Sequence, residues 1–442
     1  MIKAKSKKYV IIGAGIHGLS TAWHLAKELE SRNKGSGKDI IILEKSHVGA
    51  GATGVACGNI RNFYMTEEIH PLLRHSLDVW MTDPINLGFQ QVGYISCGEA
   101  NQADDFEKMY RSHNSIGYTS NLYVGKEAKQ FLKTIWPDFK TDGIEVALDE
   151  KLSGYAGTQQ VLRGLVEKCE LHNIEISTGI EVTGYNIQNG EVNSVITNKG
   201  IIQCDMVIWG LGAWTPRHWE LIGMPATIDC SYTDGSTILK DMWTYWRLRE
   251  GEIYFETPYL TSEGKNPPIL HIEKMNSPVF SEETGEKLDD YLYVYFKNAN
   301  ERMNKPGLQG GITPVKIGPS AVVDPYGHTN DLYQAEPEFA DYFCAAMGAT
   351  LSRFEGCRSH FRTRRNGGIG AFTPDNLPII DWLSPNIYMI ADSNHGFKMI
   401  GIGKLVARLL MGERVPDLEP FSFSRYTKGK TFSANNSHSP WV

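Results

Sequence analysis

The chain lacks any run approaching the ~18 consecutive apolar residues that a membrane-spanning helix requires. It has no C-x-x-C pair. Its seven cysteines (57, 97, 169, 204, 230, 344 and 357) are odd in number and scattered. This argues against a disulfide framework and against a structural zinc site, and suits thiols in a reducing compartment. Basic excess is also missing: the formal net charge of −7 argues against a general nucleic-acid binder. The start, "MIKAKSKKYVII", is basic, but the apolar run after it is too short for a signal peptide. No internal repeat is present. These absences predict a cytoplasmic protein with no metal, no membrane and no nucleic acid among its partners, and they leave its oligomeric state open. The 442 residues exceed one ordinary core, so two domains are expected. The 41% hydrophobic and 21% charged content is that of a globular protein. Ten Trp and 20 Tyr fit a large core and an aromatic-lined pocket.

What is present begins at residue 9, with "YVIIGAGIHGLSTAWHLAKELE". The run "KYVIIG" reads as a buried parallel strand ending at glycine. Apolar residues at Leu19, Ala22, Trp23, Leu25, Ala26 and Leu29 then repeat with a helical period. Gly13, Gly15 and Gly18 therefore form G-x-G-x-x-G between a strand and a helix. Gly13 serves the tight turn, Gly15 the approach of a pyrophosphate, and Gly18 the helix–strand contact. The helix start, with Ile16 and His17, offers free N–H groups and partial positive charge to phosphates. A second strand, "DIIILEK", ends in Glu44, followed by Lys45. The Glu44 carboxylate suits an adenosine ribose and disfavours a 2′-phosphate, which leaves FAD and NAD. The polar loop "SRNKGSGKD" accounts for its distance beyond the usual ~20 residues.

A Gly/Ala/Thr loop follows, "GAGATGVACGNIRNFYM", where a nicotinamide domain would normally continue with a helix. Such small residues let backbone pass close to a flat ring. Farther on, "GIEVTGYNIQNGEVNSVITNKGIIQCDMVIWGLGAW" reads as short strands with an Asn-Gly turn at 189–190. It ends in a buried strand and the turn Gly210–Gly212–Ala213. Near the end, "NIYMIAD" reads as a strand, then comes a glycine-spaced turn and the apolar helix "GKLVARLLMG".

In this order the elements resemble the FAD-dependent D-amino-acid oxidase superfamily, in its sarcosine oxidase and glycine oxidase branch. The resemblance rests on the opening glycines, "GATGVACG" after Glu44, "VIWGLGAW", "FTPDNLPIID" and "NHGFKMIGIGKLVARLL". It covers most of the chain and is weakest over 215–350. It implies an α/β fold: a Rossmann-type FAD-binding domain with a second, antiparallel-sheet (α+β) substrate domain. The FAD domain is expected to be discontinuous (1–90, 150–228 and 355–425). The substrate domain would comprise 91–149 and 229–354, with 426–442 a polar tail. Within them, "TYWRLREGEIYFETP" and "DDYLYVYFKN" read as strands, and "QADDFEKMYRSHNSIG" and "QAEPEFADYFCAAMGATL" as helices.

The resemblance also implies a site. Arg61 and Tyr64 of "NIRNFY" stand where the family binds its substrate carboxylate, and Lys398 of "HGFK" shares that anion. His395 could hydrogen-bond substrate or flavin. Lys316 of "PVKIG" stands where the oxidases keep a lysine for the oxygen reaction. The flavin would touch Gly51, Ala52, Thr53, Cys57, Gly58, Asn59, Val182, Gly210, Gly212, Trp214, Gly370, Asn394, Gly396 and Phe397. Gly368 and Val55 stand where relatives tether FAD through cysteine or histidine, so FAD is expected to be non-covalent. Gly370 replaces an aromatic ring of the family pocket and leaves room for a larger substrate. Tyr291, Tyr293 and Tyr295 could line the pocket or simply pack. Cys57 reads as a buried thiol filler and "RTRRN" (362–366) as a solvated strand end. The implied reaction is oxidation of a small amine, a secondary or primary α-amino acid, by hydride transfer to flavin N5. Water hydrolyses the imine and O2 reoxidises the flavin to give H2O2. The rival readings are a dehydrogenase or hetero-complex subunit passing electrons to a carrier, a 2-hydroxy acid oxidoreductase, and a non-enzymatic flavin-binding module.

Overall fold

The computed structural model describes residues 6–247, 249–255, 259–298, 307–312, 337–362, 368–393 and 395–433. Two eight-stranded sheets organise them. In the first, the strand Ser6–Ile12 lies parallel to Ile40–Glu44 on one side and to Gly200–Trp209 on the other. Ile40–Glu44 pairs in turn with Glu175–Thr178, and Gly200–Trp209 with Ile387–Ala391, again in parallel. The core strands are buried on both faces; Val10, Ile11, Ile40, Ile41 and Ile42 have no exposure. That is why their sequences run continuously apolar instead of alternating. The hairpin Val182–Gln188/Glu191–Thr197 closes one edge. Its turn residues Asn189 and Gly190 have φ of 53° and 81°, the left-handed pair that a two-residue hairpin turn needs. The helix Ile16–Ser31 packs against the helices Thr158–Leu171 and Ile402–Leu410 on one face of this sheet.

The second sheet runs Phe361–Arg362, Glu250–Tyr254, Gly307–Gly311, Leu292–Asn298, Ile269–Lys274, Tyr94–Gly98, Val146–Glu150, Ser120–Val124. Its pairings are antiparallel except where Ile269–Lys274 meets Tyr94–Gly98. The helix Pro337–Thr350 covers part of it, with Phe339, Phe343 and Met347 in a shared core with Leu270, Val294 and Phe296. The helix expected in "QADDFEKMYRSHNSIG" is Ala103–Ser115 and packs against Ser120–Val124.

Packing departs from the expected segment limits in three places. The pair Phe361–Arg362 lies beyond 355 but edges the second sheet, because Phe361 completes the apolar cluster around Phe339 and Phe343. The hairpin Thr227–Ser231/Thr237–Asp241 lies mostly beyond 229, yet Ile228, Cys230 and Met242 pack with Trp209 and Trp219 against the first sheet. The segment from 426, expected as a polar tail, begins as packed chain. Tyr426 is fully buried, and its hydroxyl donates to Asp375 at 3.0 Å. Asp375 also pairs with the buried Arg425 at 2.8 Å. A buried ion pair and a fully enclosed ring anchor this end through residues that look merely polar in the sequence.

Candidate active site

One large cavity runs between the two sheets. At one end the strand Ser6–Ile12 turns at Gly13 into the helix at Ile16. Gly13 has φ +102°, and a Cβ there would overlap the carbonyl oxygen of Gly210, just past the end of the neighbouring parallel strand. A Cβ on Gly18 would overlap the Gly13 carbonyl oxygen. Helix, turn and strand therefore close only with glycine at both positions. Gly15 differs: the only atom near its missing Cβ is Thr53 Oγ1, at 3.2 Å, and it lines the cavity. Thr53 Oγ1 accepts from the Ile16 N–H at 3.2 Å, which ties the small-residue loop to the helix start. Glu44 ends the second strand on the cavity wall. Its two oxygens accept from the backbone N–H groups of Ala14 (3.0 Å) and Ser46 (2.9 Å). Beside it, the Lys45 ammonium lies 3.8 Å over the Trp214 ring.

The other end is cationic and aromatic. Arg61 and Lys398, far apart in sequence, both line the cavity, together with Tyr94, Tyr293 and Tyr295. The Arg61 guanidinium lies 4.4 Å from the Tyr64 ring and 5.6 Å from the Tyr94 ring, and Nη1 donates to the Phe63 carbonyl. Burial, and then the neighbouring Arg61 charge, push the Lys398 ammonium down to about 7. The segment carrying Arg61 is gripped on both backbone sides of Asn62. Its N–H donates to Glu150 Oε2 at 2.6 Å, and its carbonyl accepts from His113 Nε2 at 2.8 Å. Burial pushes His113 down to about 4, so it is neutral at pH 7. Tyr118 and Ser153 donate to the same Glu150 oxygen at 2.7 and 2.8 Å.

Residues 8–409 match the family model described as DAO, FAD dependent oxidoreductase. The chain belongs to this family. Among characterised relatives, sarcosine oxidase subunit beta of Rhizobium meliloti (strain 1021) is 24% identical over 50% of this chain and 53% of its own. The 4-methylaminobutanoate oxidase (formaldehyde-forming) of Paenarthrobacter nicotinovorans is 24% identical over 47% of this chain and 24% of its own. These matches thus span about half, or less, of the relatives' lengths. Among solved structures, L-proline dehydrogenase from P. horikoshii superposes with a TM-score of 0.74 at 19% identity, over 96% of this chain and 99% of that one. Glycine oxidase from Geobacillus kaustophilus gives 0.67 at 17% identity, over 96% and 99%. Those likenesses carry the fold.

The family binds FAD, and the cavity of this FAD-dependent oxidoreductase fits it. Gly15 brings no capping side chain to the helix start, and Thr53 takes the Ile16 N–H, which leaves the remaining first-turn N–H groups for the place where Gly15 opens the wall. Glu44 keeps lone-pair directions beyond the two that Ala14 and Ser46 occupy. Asn59 Oδ1 and His17 Nδ1 are buried on residues of this wall and have no hydrogen-bond partner among the described residues. Orphaned buried polar atoms are costly, and a polar cofactor edge resolves them.

Of the FAD and substrate residues expected from sequence, all the described ones line the cavity except Gly18, Tyr64 and His395. Gly18 is consumed by helix–strand contact. Tyr64 packs behind Arg61, and His395 packs against Tyr64 with ring centroids 5.0 Å apart. Burial pushes His395 down to about 3, and its Nδ1 lies 2.6 Å from the Asp392 carbonyl. These two rings support the clamp from behind; neither reaches the cavity. Lys316, Asn394 and most of "RTRRN" lie outside the described residues. Tyr293 and Tyr295 line the wall, whereas Tyr291 turns away and donates to Glu273 at 2.6 Å. Cys57 lines the cavity as a buried thiol whose pKa is raised by burial. All seven cysteines are buried and unpaired. No helix of the described residues is long and apolar enough to cross a membrane. Sequence reasoning missed Tyr94, Glu181, Arg217, Arg249, Glu250 and Asp392, which also line the cavity. For Glu250 a signal existed: Glu250 and Glu252 put two carboxylates on one face of the strand Glu250–Tyr254.

Proposed function

We propose that this flavoprotein oxidises a small amine bearing a carboxylate, a secondary or primary α-amino acid of the N-methyl or D-amino acid type. One observation carries the reading: Arg61 and Lys398 line one cavity, near enough that the Arg61 charge acts on the Lys398 ammonium. The planar Arg61 fork suits a carboxylate, and Lys398 adds a point charge. Holding the carboxylate fixes where the substrate's α-carbon and nitrogen lie, which is a gain from orientation. FAD, held without a covalent bond, supplies the two-electron oxidation. The aromatic wall of Tyr94, Tyr293 and Tyr295 restricts water around the reacting end. Water hydrolyses the imine product and O2 is the final acceptor, with Lys316 serving the oxygen reaction in a cytoplasmic enzyme. Two relatives' names, a sarcosine oxidase subunit and a structurally similar L-proline dehydrogenase, support a second reading in which electrons pass to a carrier.

The test is an anaerobic screen of N-methyl, D-amino and 2-hydroxy acids, watching flavin absorbance, followed by admission of O2. Bleaching by amino acids with stoichiometric peroxide on reoxidation is expected. Bleaching by hydroxy acids alone would refute the amine reading. Fast dye reduction with slow peroxide release would replace oxidase by dehydrogenase.

Lys398 makes the clamp sensitive to pH. A lysine lowered to about 7 is mostly neutral at pH 8.5, so an arriving carboxylate must draw a proton in with it. Carboxylate affinity should therefore be full below pH 7 and fall by up to about tenfold per unit above it. Titration calorimetry in two buffers of different ionisation enthalpy should show uptake of close to one proton at pH 8.5. No uptake would mean that Lys398 is not part of the anion site.

A further inference from the structure

We propose that Glu250 receives the substrate's ammonium: it holds the cationic nitrogen within the cavity that carries Arg61 and Lys398, and takes its proton before oxidation. The inference rests on the amino acid reading above. Glu250 is 8% exposed and lines the same cavity as Arg61, Lys398 and Tyr293. Its position is set by strand register. Glu250 stands opposite Gly311, and Gly311 opposite Tyr295, so the three form one row across neighbouring strands. Any side chain at 311 would collide with the Tyr295 hydroxyl. The glycine leaves a slot through which Tyr295 reaches Glu250 and donates to Oε1 at 2.9 Å. The Cys57 backbone, in the loop after the second strand of the first sheet, also favours the charged form of this carboxylate. A carboxylate offers about four acceptor directions, so room remains for a ligand.

A buried carboxylate is costly unless a cation pairs with it. The groups around Glu250 are Tyr295 and Lys297 from the strand Leu292–Asn298, Cys57, Lys398, and its chain neighbours Arg249 and Glu252. Lys297 is committed elsewhere. Its Nζ donates to the Asn298 carbonyl and to Gln309 Oε1, both at 3.2 Å, and sits 4.4 Å over the Tyr155 ring. Lys398 belongs to the anion clamp. Glu250 is thus a negative group in a wall whose nearby lysines have other work, and burial pushes it up to about 7. An amino acid zwitterion offers its ammonium to Glu250 and its carboxylate to Arg61 and Lys398. In the proton step an N–H bond breaks, an O–H bond forms on Glu250, and the electron pair stays on nitrogen. A base poised near the working pH suits that transfer.

Trimethylglycine and 3,3-dimethylbutanoate have the same shape, with a cationic nitrogen in one and a carbon in the other. Their binding to the FAD-loaded protein at pH 7.5, read from the flavin absorbance shift, isolates the ammonium. Wild-type protein should prefer trimethylglycine by about tenfold or more, a ratio equivalent to 1.4 kcal/mol. Glu250→Gln should abolish that preference and leave dimethylbutanoate binding within about twofold, and Glu250→Asp should restore part of it. With an amino acid that bleaches the wild type, anaerobic reduction by Glu250→Gln should need a higher pH, near the amine's own pKa. If the Gln variant takes up no FAD, Tyr295→Phe serves: without that hydrogen bond Glu250 becomes more basic, and the pH profile moves up. An equal preference in wild type and Glu250→Gln, or an unmoved pH profile in the variant used, overturns the inference. Wild-type protein that binds neither acid removes the carboxylate clamp as well. Binding of both acids without discrimination removes Glu250's role alone.

Discussion

Arg61→Met should lower kcat/KM for the substrate amino acid by about two to three orders of magnitude and leave FAD content unchanged. Removing one partner of a desolvated charge pair typically costs about 2–5 kcal/mol, because the other charge is left buried and unpaired. Arg61 is 5% exposed and enclosed by Phe63, Tyr64 and Tyr94, so water cannot replace it as the anion's partner. Lys398 alone cannot compensate, since at pH 8 much of it is neutral. Arg61→Lys keeps the charge and loses the planar fork, and should recover only part of the loss. The measurement is steady-state kinetics on FAD-loaded protein, with thermal melting alongside. A variant that melts early but keeps its kcat/KM would show that Arg61 only braces its own loop.

The second large effect separates two glycines of one motif. Gly15→Ala should leave the apoprotein's melting temperature nearly unchanged and weaken FAD binding by about a hundredfold. The new methyl meets one hydroxyl oxygen, Thr53 Oγ1, and otherwise projects into the cavity. It fills the space in which a pyrophosphate must reach backbone N–H groups. Gly18→Ala should instead destabilise the fold by several kcal/mol, since its Cβ overlaps the Gly13 backbone and the surrounding elements cannot yield cheaply. Differential scanning fluorimetry with and without added FAD distinguishes them. Equal FAD affinity in Gly15→Ala and wild type would contradict the cofactor's placement at this turn.

The parts of this molecule that the sequence makes legible are local. The turn between the first strand and helix, the carboxylate ending the second strand and the Asn189–Gly190 hairpin each rest on a few adjacent residues. Conformational demands act at that range: a positive φ, a missing Cβ, an apolar period. The supports of the site are not local. Glu150 reaches Asn62 across 88 positions, and His113 across 51. Nothing near Asn62 announces either partner. Tyr64 and His395 show a related limit. Family resemblance finds such residues, but the direction of a side chain depends on what packs beneath it, and here both rings became backing for Arg61. Glu250 was legible only as one of two carboxylates, with Glu252, alternating along a strand.

The grip on Asn62 has a mechanical meaning. Glu150 belongs to the second sheet, and the loop it holds lies along the chain that leaves the first sheet at Glu44 and passes through the short strand Asn59–Ile60. If the layers slide, the tether drags the guanidinium off its mark while each layer stays intact. Such an enzyme would lose its hold on the substrate's acid group well before it melts. Mild denaturant should therefore raise KM at concentrations where the far-ultraviolet spectrum is still native.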